Sequence, residues 1–131
     1  MRKIFTMGIS KIELAAARET PVVVMQEGLI SIKGRSIVEN AGDFYKPLHQ
    51  WVADYVTGCC EETRVIFAFD FINTSSTKWV YSIVKELSKY RNVHDKVTIE
   101  WHYEKGDDEL FELGEIIHSF IDCPFLFYEA D

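Results

Sequence analysis

Residues 73 to 77 read Asn73-Thr74-Ser75-Ser76-Thr77, an amide followed by four hydroxyls. Consecutive hydroxyls can cap a helix, cradle an anion, attack an electrophile or accept a phosphoryl group, and each task makes a further demand on the chain. A Ser or Thr nucleophile needs a base and usually a strained elbow, but no Gly-x-Ser-x-Gly surrounds these residues and their position suggests no His/Asp partner. A P-loop needs glycines for close backbone approach, and no Gly lies between Gly58 and Gly106. A cap needs a single Asn, Ser or Thr. A phosphorylation site needs only an accessible hydroxyl at which about two negative charges change the local electrostatics. Capping, an anion-binding turn and a phosphorylation site therefore stay open.

The other polar candidates are weaker. Glu100 and His102 share one face of an alternating segment, but two ligands do not make a metal site, and a hydrogen-bonded sheet face explains them. Asp70, the only charge inside an apolar stretch, either bonds backbone at a strand end or tunes the adjacent turn. His49, His94 and His118 sit among polar neighbours and form no constellation. The acids Glu104, Asp107, Asp108, Glu109 and Glu112 suit a solvated first helical turn favoured by the helix dipole. Cys59, Cys60 and Cys123 are odd in number and lack Cys-x-x-Cys spacing, which fits reduced thiols rather than a disulfide framework.

The hydroxyl run is positioned by what flanks it. Val65 to Phe69 is continuously apolar, the pattern of a strand buried on both faces, and the strand is predicted over 64–71. Trp79, Val80, Ile83, Val84, Leu87 and Tyr90 recur at helical spacing, predicting a helix to about Arg91, so the hydroxyls fall on a strand-to-helix turn. Free amides and the positive end of the dipole favour an anion there. Upstream, a weak strand among Ile9, Ile12 and Leu14 leads to Val22–Met25 and Leu29–Lys33, which read as a hairpin around Gly28 and end at Gly34. Ser36-Ile37-Val38-Glu39 matches a capping box and predicts a helix start. Ala41, Phe44, Leu48, Trp51, Val52 and Tyr55 then share a face through Pro47, where a kink is expected, to a cap at Gly58. Downstream, Val97, Ile99, Trp101 and Tyr103 alternate as a strand. Lys105 to Asp108 forms a turn and N-cap. Leu110, Leu113, Gly114, Ile117 and Ile121 make a third helical stripe, with Gly114 permitting close approach. Phe125 to Tyr128 is a last strand. The order predicts an α/β fold: a mixed sheet with about three helices, its later strands parallel, and its functional turns at the strands' carboxyl ends.

The chain of 131 residues, 47% hydrophobic and 14% aromatic, is expected to be one domain over 1–131, with residues 1–10 an irregular lead-in. A net charge of −7 and the lack of a Lys/Arg cluster argue against nucleic acid. No signal peptide or long apolar span is readable, so no membrane insertion and a cytoplasmic location are expected.

Gly34-Arg35-Ser36-x-x-Glu39-Asn40-Ala41, Phe44-Tyr45-x-Pro47-Leu48-x-x-Trp51, Asp70-Phe71-Ile72-Asn73-Thr74-Ser75-Ser76-x-Lys78 and Val97-Thr98-Ile99-Glu100-Trp101-x-Tyr103 together resemble the SiaC family of bacterial regulatory phosphoproteins. The resemblance spans roughly residues 11 to 130, and the Asn-Thr-Ser-Ser segment is its most specific part. It implies a STAS-like architecture and a signalling adaptor rather than an enzyme, without cofactor or metal. It implies Thr74 as the residue phosphorylated by a dedicated kinase and dephosphorylated by a PP2C-like phosphatase. It further implies that Asn73, Thr74, Ser75 and Ser76 form a partner-binding turn, and that the unmodified form binds and activates a diguanylate cyclase. The alternatives are a STAS-like anti-sigma factor antagonist and, from a different class, an enzyme that binds an anion or small molecule at the same turn.

Overall fold

The computed structural model describes residues 10–58, 62–89 and 95–130. Six strands form one sheet in chain order: β1 (Ile12–Leu14), β2 (Val22–Gln26), β3 (Leu29–Ser36), β4 (Thr63–Ile72), β5 (Val97–Glu104) and β6 (Phe125–Ala130). β1, β2 and β3 are antiparallel neighbours, while β3 to β6 run parallel. Among the described residues three helices join the parallel strands: α1 (Ala41–Gly58), α2 (Thr74–Leu87) and α3 (Asp108–Ser119). The expected mixed sheet with parallel later strands is what forms.

Side chains alternate across a strand, so register decides which residues share a face. One row crosses the sheet as Val23, Ile32, Phe67, Trp101 and Phe127, and the next as Met25, Ile30, Val65, Ile99 and Phe125. These rows and the inner faces of all three helices belong to a single apolar cluster. The opposite rows carry Arg64, Lys33, Leu126 and Tyr128 into solvent. The helices lie against the first set of rows, which makes the sheet one-sided, and only partly as the apolar run of β4 suggests: Ile66 is buried, whereas Ala68 is half-buried.

Two glycines shape this core. Gly28, at φ +85°, turns the β2–β3 hairpin, and its amide donates to the Tyr55 hydroxyl at 2.9 Å. A Cβ on Gly114 would stand 2.6 Å from Trp101 Cδ1 and 2.8 Å from Phe127 Cε2, so α3 approaches β5 and β6 only because that side chain is missing. Trp101 Nε1 then donates to the Leu110 carbonyl at 2.9 Å, and Asp107 caps α3 by accepting from the Leu110 amide at 3.0 Å, as its sequence predicts.

Several expectations change. Ser36 is not a helix cap: β3 continues past Gly34 to Ser36, and α1 begins at Ala41, because the Ser36 hydroxyl is drawn into the core by buried partners. Tyr45 rather than Phe44 is the fully buried member of that turn of α1. α1 runs through Pro47, and Gly58 is its last helical residue. α2 begins at Thr74 itself, so the hydroxyls occupy its first turn rather than a loop before it, and it ends at Leu87, four residues short of Arg91. Cys123 is a free, buried thiol that burial pushes up to about 12, whereas Cys59, Cys60 and His94, and all of residues 1–10 except Ser10, lie outside the described residues.

Candidate functional site

The first turn of α2 stands at the carboxyl end of β4, where the parallel strands point their last residues toward solvent. Asn73 is its N-cap, with extended backbone at φ −89° and ψ 172°, and its Oδ1 accepts from the Ser76 amide at 3.0 Å. Its Nδ2 donates to the Val38 carbonyl at 3.1 Å, and its own amide donates to the Ser36 carbonyl at 2.9 Å. One side chain thus satisfies an orphan amide of the helix and ties the helix to the segment after β3.

The four hydroxyls that sequence treats alike are placed very differently. Ser75 Oγ is half-buried and donates to the Val38 carbonyl at 3.3 Å. Thr77 Oγ1 donates to the Asn73 carbonyl at 3.0 Å, the back-bond a helix offers to Thr. Ser76 is completely buried and accepts from Ser36 Oγ at 2.9 Å, while Ser36 Oγ lies 2.6 Å from the Tyr45 hydroxyl. Ser36 spends its proton on Ser76, so Tyr45 donates to Ser36, and the order of the chain is Tyr45 to Ser36 to Ser76. Desolvation pushes the Tyr45 hydroxyl up to about 12, against the pull of these hydrogen bonds, so it keeps its proton across the physiological range. Thr74 is exposed, and among the described residues its hydroxyl has no hydrogen-bond partner.

The electrostatics of this helix start also stand apart. α1 carries Asp43 and α3 carries Asp108 and Glu109 in their first turns, but α2 carries no acid in its own. The positive end of its dipole is left for another anion. Lys78, one turn on from Thr74, is exposed on the same helical face.

Just before the cap, the β3–β4 pairing shifts register between Gly34 and Arg35, so that Gly34 faces Phe69 while Arg35 faces Phe71. The extra residue on β4 is Asp70, and the alternation inverts behind it: Phe69 is buried while Phe71 is 61% exposed, with the Arg35 guanidinium 5.3 Å from its ring centroid. Gly34 meets the bulge with φ +114°, a conformation that only glycine adopts without strain.

The structure therefore gathers Asn73, Thr74, Ser75 and Ser76 into one helical turn and leaves a single member open to chemistry. Sequence reasoning missed Tyr45, Val38 and the outward Phe71. It placed Ser36 in the wrong role, although its distance of forty residues from Ser76 gave no local signal. Glu100 and His102 lie away from this turn on the uncovered sheet face. There the Glu100 carboxylate accepts from Arg64 at 2.5 and 3.1 Å and lies 3.1 Å from His102 Nε2. The Arg64 hydrogen bonds hold it below the usual carboxylate range against the opposing effect of burial. This is the hydrogen-bonded sheet face expected from the sequence, and among the described residues no group of His, Cys, Asp and Glu is arranged to hold a metal ion. Nor is any described helix long and apolar enough to cross a membrane.

The site is thus a helix start with one open hydroxyl and an uncompensated dipole, carried on a mixed α/β sheet with its helices on one face. Residues 14–130 match the model of the SiaC family of regulatory phosphoproteins, and the chain belongs to that family. An uncharacterised protein of Pseudomonas aeruginosa (strain UCBPP-PA14) is 25% identical over 121 residues, covering 91% of this chain and 94% of its own. The fold is shared with SiaC of Pseudomonas aeruginosa at a TM-score of 0.83 and 22% identity, over 92% of this chain and 99% of that one. SiaC solved in complex with the diguanylate cyclase SiaD, which it activates, superposes at 0.81 and 22% identity over 91% and 99%.

Proposed function

We propose that this chain is a signalling adaptor, acting as a single domain in the cytoplasm, whose Thr74 is reversibly phosphorylated, and that its unmodified form binds and activates a diguanylate cyclase. A protein kinase adds the phosphate and a PP2C-like phosphatase removes it; the chain itself performs no catalysis and takes no cofactor. The observation that carries this reading is the contrast within one turn: Ser75, Ser76 and Thr77 are committed to hydrogen bonds, while Thr74 is exposed with its hydroxyl free. A phosphoryl group cannot enter the sealed space around Ser76 without breaking the chain to Ser36 and Tyr45. At Thr74 it would project into solvent beside a helix N-terminus that lacks an acid of its own. Family membership and the activator role of SiaC toward SiaD support the choice of partner.

The helix start tolerates the phosphate, so loss of the partner must arise at the interface, where about two added charges have to be desolvated. Thr74→Ala is expected to bind the cyclase as the unmodified chain does and to stimulate cyclic di-GMP synthesis constitutively. Thr74→Glu is expected to weaken binding at least about tenfold, equivalent to about 1.4 kcal/mol. Equal affinity of wild type, Thr74→Ala and Thr74→Glu in calorimetric titrations would end this reading.

A further inference from the structure

We propose that the uncovered face of the sheet docks a second copy of this chain, in a twofold dimer whose axis runs along β4. The inference is independent of the reading of Thr74 as a switch. Parallel strands ordinarily have both faces covered, yet β3 to β6 are parallel and all three described helices pack on one side of them. Register fixes what the other side presents. Lys33 and His102 flank Ala68 in one row, with Val22 and Tyr128 beyond them. Ser31 and Glu100 flank Ile66 in the next row, with Val24 and Leu126 beyond. The outer strands carry the apolar exposure: Val22 is 41%, Leu126 45% and Tyr128 42% exposed.

Charge on this face is divided by β4. β3 presents the cations Lys33 and Arg35, while β5 presents the carboxylates Glu100 and Glu104 beside His102. Arg35 stands two residues past Lys33 and Glu104 two past His102, so the two lie level on opposite sides of β4. Neither has an ion-pair partner among the described residues. The neighbouring charges are otherwise engaged or turned away: Lys11 pairs with Glu13, Arg64 with Glu100, and Asp70 lines the hollow beside α3 with Asp107 and Glu109. A half-turn about β4 lays β3 of one copy on β5 of the other, and β2 on β6. Arg35 then meets the second copy's Glu104, twice in the dimer. Val22 meets Tyr128, Val24 meets Leu126, and the small Ala68 meets itself on the axis. Sheets packed face to face stay within about 30° of parallel, which preserves these pairings. A copy laid with its strands reversed would instead set the cations of β3 over β3. The face from β2 to β6 measures about 19 by 20 Å, small for a permanent dimer, so a dissociation constant in the micromolar range is expected.

The test is sedimentation equilibrium of the unmodified full chain from about 1 μM to about 1 mM, where the wild type is expected to pass from monomer to dimer. Arg35→Glu and Glu104→Arg each set like charges against one another twice, and each is expected to weaken the dimer at least about tenfold. Both side chains are exposed, so the melting temperature should hold. An equimolar mixture of the two single variants restores both ion pairs across one interface. It is expected to form a one-to-one heterodimer, resolved by native mass spectrometry, and the chain carrying both substitutions is expected to dimerise as the wild type does. A misfolded variant would give neither recovery. A wild type that stays monomeric to about 1 mM overturns the inference. So does a dimer that either single reversal leaves within about twofold of wild type, or a mixture of the two variants that fails to associate.

Discussion

Asn73→Ala removes two connections at once, and their sum is large enough to measure. The lost Oδ1 contact is the N-cap bond to the Ser76 amide at 3.0 Å, a change that costs about 1 kcal/mol in most helices. The lost Nδ2 contact leaves the Val38 carbonyl without this donor, a part-buried bond of 3.1 Å that is worth about 1 kcal/mol net. Together the substitution should cost about 2 kcal/mol. For a chain of 131 residues the unfolding entropy is about 0.28 kcal/mol/K, so the melting temperature should fall by about 7 °C. Asn73→Ser separates the two terms, because Ser caps well but cannot reach the Val38 carbonyl with an amide; it should cost about half as much. Urea unfolding gives the free energies, and hydrogen exchange should locate the opening in the first turn of α2. If Asn73→Ala costs under about 0.5 kcal/mol, or Asn73→Ser costs as much as Asn73→Ala, the described cap does not hold the turn as argued.

Gly114→Ala should be among the most damaging small changes, because its Cβ would stand 2.6 and 2.7 Å from the Trp101 ring; a loss of about 2 kcal/mol or more by chemical denaturation, with altered Trp fluorescence, is expected. Tyr45→Phe leaves the Ser36 hydroxyl without its buried donor and should cost about 1 kcal/mol in the same assay. Glu100 links stability to pH. Its folded-state pKa lies below the ordinary 4.5, so its contribution is complete above that value and is lost as pH falls through the lower folded value. Arg64 is largely exposed, which screens the pair and keeps the effect modest. Glu100→Gln should therefore be less stable than wild type near pH 7, with the gap closing below about pH 4 in urea titrations.

Much of this arrangement is legible in the sequence because short-range rules govern it. Asp107 before a helical stripe and Gly28 in a hairpin are local signals, and the structure places each as expected; that a cap lies within residues 73 to 77 is legible too, but not that it is Asn73. Gly114 is legible as a close approach, though its counterpart Trp101 is not. What is hidden depends on pairing between distant segments. Ser36 looks like a cap because Glu39 follows it at the right spacing; only the arrival of Tyr45 and Ser76 draws its hydroxyl inward instead. Phe71 looks like core because it continues an alternation that the extra residue Asp70, on the same strand, interrupts. The hydroxyls from Thr74 to Thr77 are equivalent in one dimension and become distinct through the turn of α2, which buries one and exposes another.

That distinction can be read directly from the protein in its host. Trypsin cuts after Arg64 and Lys78, so one peptide, 65–78, carries all four hydroxyls. Fragmentation of its phosphorylated form assigns the modified residue. The account predicts phosphate on Thr74 and none on Ser76, with the modified fraction falling in protein recovered bound to the cyclase. Phosphate on Ser76 or Thr77, or a cyclase-bound fraction rich in phosphate on Thr74, would contradict it.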